Sequence, residues 1–395
     1  MNLAKPKIAI IGGGIGGLAA AFALRARGME STVHERSAEL REIGAGLLLT
    51  PNALMALRAL GLENDAMEVG VRIDRSTTRS WRSASVISTQ DSSAARYGAS
   101  ALTIHRADML ELFRRRLPDK FIYLNAVCTE ILHTSGSAVA RFADGSEIEA
   151  DVIIGADGIH SAVRASLFGD DQPRFTGCIC WRGLIPIERF PHDAHGTTRW
   201  LGPHGHVVSY PVRRGELLNF VAHYDSDSWT EESWTREADR AELVETYKGW
   251  NEAVLRMLDS SEIYYKWALY DRAPMDAWGK GCVTLLGDAA HSMLPYMAQG
   301  TSMTLEDAFV LALELERTPD QISEALRRYE SARMPRTRRA QLGSRARAKE
   351  NHLVSPWARM RRDLLTKMRT RFSTDKTADG VSWIYDFNVA KMEGS

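Results

Sequence analysis

The chain has 395 residues, 44% of them hydrophobic, enough for one large or two moderate domains with an ordinary core, which excludes a disordered or fibrous protein. Fifty basic residues balance fifty acidic ones, so no overall field draws the protein to nucleic acid or to an anionic membrane. The four cysteines, Cys128, Cys178, Cys180 and Cys282, form no Cys-x-x-Cys pair and no zinc-finger spacing; they read as buried free thiols in a reducing cytoplasm, and no metal site is expected.

In chain order, residues 7–35 hold a short apolar run, a glycine cluster, an Ala/Leu-rich helical stretch and a second run, Ser31-Thr32-Val33-His34-Glu35, which together read as a βαβ unit. The first run, Ile8-Ala9-Ile10-Ile11, is too short to span a bilayer and lacks a signal-peptide cleavage pattern. Residues 100–116 read as a helix preceded by a turn. Strand-like runs follow at Phe121–Cys128, Ala138–Phe142 and Asp151–Ile154, with Asp144-Gly145 as a hairpin turn. From Cys178 to Tyr224, runs rich in Trp, Val, Tyr and His, separated by Gly and Pro, predict a second, antiparallel sheet. A helical stretch near 236–259, an apolar strand at 282–286 and helical composition from Ser302 onward complete the chain. The resulting expectation is an α/β protein with a discontinuous Rossmann-like domain (1–175 and 270–345), an inserted, mostly antiparallel substrate-binding sheet (176–269) and a helical tail (346–395).

The string Gly12-Gly13-Gly14-Ile15-Gly16-Gly17 satisfies Gly-x-Gly-x-x-Gly between a predicted strand and a predicted helix. Gly12 permits the tight turn, Gly14 lets the backbone approach a pyrophosphate, and Gly17 allows close helix-to-strand packing. The helix amino terminus supplies unpaired N–H groups to the phosphates. Glu35, eighteen residues beyond Gly17, can accept hydrogen bonds from ribose hydroxyls and would repel a 2′-phosphate, which favours FAD or NAD over NADP.

Two further motifs select among dinucleotides. Asp157-Gly158 follows Val152-Ile153-Ile154-Gly155-Ala156, and Gly287-Asp288 follows a strand and leads to His291 and Pro295. With the glycine loop, these resemble the fingerprints of the group A flavoprotein monooxygenases, the para-hydroxybenzoate hydroxylase-like family, over residues 7 to about 345. The texture is similar to salicylate hydroxylase and 6-hydroxynicotinate 3-monooxygenase through Gly44-Ala45-Gly46, Thr103-Ile104-His105-Arg106, Trp181-Arg182-Gly183 and Met297-Ala298-Gln299-Gly300. A histidine in the Gly-Ala-Gly loop of the pyridine-type pattern is replaced here by Leu47-Leu48-Leu49, which suggests a more apolar pocket.

The resemblance implies a glutathione-reductase-type FAD-binding fold. It also implies a single-component enzyme in which NAD(P)H, preferably NADH, reduces FAD, dioxygen adds, and an electrophilic oxygen passes to a hydroxylated aromatic or N-heteroaromatic acid, with or without decarboxylation. It assigns Asp288 to ribityl hydroxyls, Pro295, Gly300 and Thr301 to the flavin pyrimidine, and Arg106 to the ribityl and pyrophosphate. Val127 goes to the adenine, Glu35 and Arg36 to the adenosine ribose, and Asp157 to both FAD phosphate and NAD(P)H; Ile15, Gly16, Gly46 and Leu48 complete the cofactor set. His206, on a strand of the lid sheet, is the expected base, since a histidine can take a phenolic proton at neutral pH. His204 competes for that role. Tyr210, Tyr224 and Gln299 would orient the substrate and Arg182 would meet its carboxylate. The partners implied are a small aromatic acid and dioxygen, with no nucleic acid and no membrane. Trp357 and Trp383 suit either the core or a second subunit, so a homodimer stays open. A different flavin reaction, such as epoxidation or dehydrogenation, and a non-catalytic flavin-binding module remain the competing readings.

Overall fold

A computed structural model describes residues 5–40, 46–134, 136–190, 196–227, 238–372 and 380–394. Gly44 and Ala45, part of a motif singled out above, lie outside the described residues, as does the start of the helical stretch expected near 236.

The expected βαβ unit forms. Strand Ile8–Ile11, four consecutive buried apolar residues, lies parallel to Ser31–His34 on one side and to Val152–Gly155 on the other. It sits inside a six-stranded sheet with Gly279–Lys280, Val283–Leu285 and Ile122–Tyr123 as the remaining strands. Near-continuous apolar runs are what a parallel sheet covered on both faces requires. The covering helices are Ile15–Ala26, which buries Ile15, Leu18 and Leu24, and Gly300–Arg317, which buries Leu305, Phe309 and Leu313; both belong to the main core. Asp144-Gly145 turns the hairpin between Ala138–Phe142 and Glu147–Ala150, with Gly145 at φ +86°. The mixed α/β architecture with a helical carboxyl-terminal region is therefore the one expected.

The second sheet has seven strands, in the order Tyr265–Asp271, Arg174–Pro186, Leu217–Asp225, Gly205–Val212, Thr197–Gly202, Arg75–Ser80 and Val86–Asp91. Period-two alternation gives its faces different partners. Ile179, Trp181 and Ile185 point to one side and pack with Leu243, Val254 and Leu258 of two short helices. Cys178, Cys180 and Arg182 share the other face with Val221 and His223, to which pairing register assigns them: Cys180 lies opposite His223 and Arg182 opposite Val221. That second face looks toward the dinucleotide domain.

Three differences from the sequence reading matter. Residues 101–105, read as a turn, form a strand, Ala101–His105, all five residues of which are buried, and it is followed by the helix Arg106–Arg114. It pairs with Gly46–Leu49 and Val71–Ile73, and full burial on both faces erased the alternation that marks a strand. Only Ile122–Tyr123 of the run Phe121–Cys128 is strand, and Cys128–His133 follows it. The hairpin Arg75–Ser80/Val86–Asp91 extends the second sheet from chain that precedes residue 176, and its pairing with Thr197–Gly202 is parallel.

Candidate FAD and substrate site

The glycine loop is built by contact. A Cβ at Gly12 (φ +110°) would lie 2.3 Å from the Ala156 carbonyl oxygen, and one at Gly17 would lie 1.9 Å from the Gly12 oxygen, so neither position accepts a side chain. Gly14 differs: a Cβ there meets nothing within 4 Å, because it opens on a cavity. Gly14 also caps the helix Ile15–Ala26 without any side-chain hydrogen bond, which leaves first-turn N–H groups facing the same space. Glu35 closes the loop from below, its Oε2 accepting from Gly13 N at 2.6 Å and its Oε1 from Ser37 N at 2.9 Å.

Two cavities meet at this loop, sharing Gly14, Arg106, Ala156 and Gly158. The first, about 360 Å³, is walled by Gly12, Glu35, Arg36, Val127 and Asp157. The second, about 320 Å³, is walled by Ile15, Gly16, Gly46, Leu48, Asp288, Pro295, Gly300 and Thr301. Apart from Gly17, which serves packing, every residue assigned above to the cofactor lines one or the other. The geometry suits a long dinucleotide laid across the loop. Asp157 offers an independent check: its Oδ2 accepts from Val163 N at 3.2 Å, while its Oδ1 is buried with no partner, an acceptor awaiting a hydroxyl or N–H group. Burial raises the Asp157 carboxyl above its usual range. At the far end, the helix Gly300–Arg317 also begins without a side-chain cap, so its first amides open on the second cavity and would stabilise negative charge there. The residues present therefore fit FAD, with Arg36 and Val127 on the adenosine side and Asp288, Gly300 and Thr301 on the flavin side.

The substrate side of the second cavity is formed by Leu47, Leu48, Val208, Val221 and Met293, with Arg182, Tyr210 and His223 as the polar groups. Arg182 stacks its guanidinium on Trp267 at 4.2 Å, and its Nε is buried without a hydrogen-bond partner. Tyr210 lines the cavity, but its hydroxyl donates to the Gly46 carbonyl at 2.8 Å, and burial pushes its pKa up to about 12. In this arrangement its hydroxyl hydrogen ties strand Gly205–Val212 to strand Gly46–Leu49. Gln299 is likewise engaged: its Oε1 accepts from Asn52 Nδ2 at 3.2 Å and its Nε2 donates to Thr50 Oγ1 at 2.9 Å. Its second Nε2 hydrogen goes to the Met297 carbonyl at 3.2 Å, which shapes the Pro295–Gly300 turn and leaves one lone pair of Oε1 for a ligand. Tyr224 faces the opposite side of the sheet, against Tyr247. His204 sits in the hairpin turn at φ +59°, exposed, and does not share the face of His206.

His206 is 2% exposed and does not line the cavity. Its ring lies flat on His223, with centroids 4.3 Å apart and planes 3° from parallel, and it is His223 that reaches the cavity wall. Both His223 nitrogens are buried without partners. Burial drives both histidines well below the ordinary imidazole pKa, so both are neutral at pH 7. Sequence reasoning missed His223 because its proximity to His206 is created by strand register and by no local motif. All four cysteines are free, three of them buried and Cys128 half-buried, and burial pushes Cys128 and Cys178 up to about 12, too high for a reactive thiolate.

Behind the second cavity lies a buried ionic network. Arg333 donates to Asp307 at 2.7 Å and forms an ion pair with Glu306 at the same distance; Asp307 also meets His291, and Glu306 accepts from Asn52 at 2.7 Å and from Arg336 at 2.8 Å. Through Asn52 it reaches Gln299, and through Asp307 the Gly287 amide at 3.4 Å.

Comparison with known proteins agrees with this geometry. Residues 5–343 match the family model described as FAD binding domain. A 3-amino-4-hydroxybenzoate 2-monooxygenase from Streptomyces platensis is 38% identical, with 98% of each chain covered. A 3-hydroxybenzoate 6-hydroxylase from Aquipseudomonas alcaligenes is 37% identical over 86% of this chain and 87% of its own. The structure of a salicylate hydroxylase substrate complex superposes with a TM-score of 0.85 at 27% identity, covering 99% of this chain and 97% of that one.

Proposed function

This chain belongs to the FAD binding domain family and is an FAD-dependent aromatic monooxygenase, and from that premise we propose that its substrate is a benzoate bearing a ring hydroxyl, with or without an amino group, oxidised at a carbon adjacent to the one carrying the carboxylate. The observation that carries the proposal is Arg182. Arg182 is half-buried, its Nε is buried without a partner, and it makes no ion pair among the described residues, so an anion would complete it; the other polar side chains on the ring side, Tyr210 and His223, are uncharged. A substrate carboxylate would complete the pair, in the charge-assisted geometry that arginine favours. The names of the two relatives place the new oxygen at positions 2 and 6 of a benzoate, both flanking the carboxyl-bearing carbon, so an anchored carboxylate is a common means of presenting that carbon.

FAD, when bound, supplies the electrons taken from NAD(P)H and the activation of dioxygen. The chain supplies the rest. Leu47, Leu48, Val221 and Met293 exclude water from the reacting ring, Arg182 fixes its orientation, and neutral His223 at the cavity wall can accept the ring hydroxyl proton. Leucines at 47 and 48 favour a benzoate over a pyridine ring.

The test is a panel of hydroxybenzoates, aminohydroxybenzoates and hydroxynicotinates, scored by NADH and NADPH consumption and by product mass. A benzoate product that gains one oxygen beside the carboxyl carbon is expected. Cofactor oxidation that no aromatic acid accelerates would defeat the proposal. Arg182→Met should raise KM on the order of a hundredfold with a smaller effect on kcat, reflecting a lost charged hydrogen bond of about 2–3 kcal/mol.

The proposal extends to setting and assembly. No described helix is long and apolar enough to cross a membrane, and four free thiols suit the reducing cytoplasm. Trp357, Met360, Leu364 and Met368 form an exposed apolar stripe on the helix Pro356–Phe372, the face we assign to a second copy in a homodimer.

A further inference from the structure

Three side chains of metal-ligating type meet at one end of the second sheet, and none of them lines either cavity. Cys178 and Asp225 lie opposite each other in the register of strands Arg174–Pro186 and Leu217–Asp225, and His352 is the residue after helix Ile322–Asn351. The Cys178 sulfur, an Asp225 carboxylate oxygen and a His352 nitrogen all lie within 4.8 Å of one another. Cys178 and His352 are buried, whereas the Asp225 side chain is 39% exposed and leaves a way in from solvent. Spacing along the chain predicts no metal site, because positions 178, 225 and 352 are brought together only by the fold.

We propose that Cys178, Asp225 and His352 form a binding site for a divalent cation of the zinc class, which fastens the end of the long helix to the second sheet. The site is separate from the FAD and ring cavities and does not depend on which substrate the enzyme takes.

The donor set selects the ion. A thiolate, an imidazole and a carboxylate together suit Zn²⁺, which accepts sulfur, nitrogen and oxygen alike. Ca²⁺ and Mg²⁺ would find a single carboxylate where they need a shell of oxygens. Ligand atoms about 2.0–2.3 Å from a tetrahedral ion stand about 3.3–3.8 Å from one another, so rotations of the Cys178 and Asp225 side chains would close the cluster on an ion. At its narrowest point His352 Nδ1 lies 2.5 Å from Asp225 Oδ1, a hydrogen bond that the ion would replace. His204, in the adjoining hairpin turn, has its Nδ1 3.9 Å from Asp225 Oδ2 and can take the fourth position in place of a water.

The contacts around the three donors are those of a ligand shell. His352 presents Nδ1 to the cluster because its Nε2 lies 2.8 Å from His206 Nδ1. Outer partners of this kind fix which nitrogen a histidine offers to a metal. The Tyr296 hydroxyl donates to Cys178 Sγ at 3.2 Å, a bond that also supports a thiolate. Without an ion the thiol keeps its proton, since burial pushes it up to about 12. A coordinated cation removes that proton outright. The thiol proton leaves for solvent, and neutral His352 carries its hydrogen on Nε2, facing His206. One thiolate and one carboxylate then neutralise the dication, so the filled site holds no net charge.

The test uses the FAD-loaded full chain, freed of metal with a chelator. Calorimetric titration with zinc chloride should show one equivalent bound. Cobalt chloride should add a thiolate-to-cobalt charge-transfer band to the difference spectrum taken against cobalt-free enzyme. Cys178→Ser should abolish that band, and Asp225→Asn and His352→Gln should each weaken zinc binding about tenfold or more. Cys180→Ser, on the same strand but outside the cluster, should keep both the band and the wild-type Kd. Because only the folded chain assembles the site, saturating zinc should raise Tm in the wild-type protein and not in Cys178→Ser. Flavin absorbance confirms that each variant folds and keeps FAD. A wild-type cobalt spectrum without the charge-transfer band overturns the proposal with no variant needed. So does a band lost with Cys180 instead, or a zinc Kd that none of the three substitutions moves, which would leave the cluster a purely hydrogen-bonded one.

Discussion

The two halves of the cleft are made by different means. The adenosine half is organised around backbone within residues 12–37, a glycine turn, an uncapped helix terminus and a carboxylate that ties the loop, with Val127 and Asp157 closing its wall. The ring half is made of side chains from three strands, a turn and a helix end, assembled by contacts between distant segments, as in the hydrogen bond from Gln299 to Thr50 across 249 positions. A backbone site recognises a group common to many ligands, phosphate, and tolerates no Cβ. A side-chain site can change its ligand by single substitutions without disturbing the fold.

The ionic network holds helix Gly300–Arg317, which begins at the flavin cavity and packs on the helix of the glycine loop, so removing it should blur the contrast. Arg333→Met leaves Glu306 and Asp307 buried with diminished compensation and should cost about 3–5 kcal/mol in a urea unfolding experiment, weakening FAD and substrate binding together. Gly14→Ala should instead sharpen the contrast. Its Cβ meets no protein atom, so apoprotein Tm should hold, while FAD affinity falls on the order of a hundredfold, about 3 kcal/mol, because the methyl occupies the path of the pyrophosphate. An equal loss of apoprotein stability would show that the position serves packing.

Acid should affect both halves through neutral histidines. Desolvation, and next the nearby Lys7 charge, lower His34 to about 4, and burial lowers His206 and His223 as well. A folded-state pKa below the unfolded value means that the unfolded chain binds more protons in between. Stability is therefore full above about pH 6.5 and is lost as pH falls toward 4, with His34 alone contributing on the order of 2–3 kcal/mol. Denaturation midpoints across that window should be flatter in His34→Asn. The smallest effect belongs to Tyr210→Phe. If the hydroxyl only tethers Gly46, stability drops by about 1 kcal/mol and the pH profile of kcat is unmoved; a lost limb in that profile would return Tyr210 to a proton-transfer role.

The same contrast explains what the sequence made legible. Gly12, Gly14, Glu35, Asp157 and Asp288 are readable because each acts through its immediate neighbours on the chain, where spacing and geometry are nearly the same thing. His223 was not readable, since it stands opposite His206 only after two strands pair. Nor was His352, which meets His206 across 146 positions. Tyr210 and Gln299 are legible as cavity residues, but their hydrogen bonds to Gly46 and Thr50 arise only when distant segments meet in the fold. The strands Arg75–Ser80 and Val86–Asp91 escaped notice because Ser, Thr and Arg dominate them, and a half-exposed edge hairpin needs little apolar alternation.

The central claim is that a single dinucleotide spans both cavities, with its flavin among Asp288, Gly300 and Thr301 and its adenosine beside Glu35. Titration of apoprotein with FAD, FMN and ADP, followed by flavin fluorescence and calorimetry, tests it directly. One equivalent of FAD should bind far more tightly than FMN or ADP, and ADP should compete with it. Independent, simultaneous binding of ADP and FAD, or no binding of FAD at all, would contradict it.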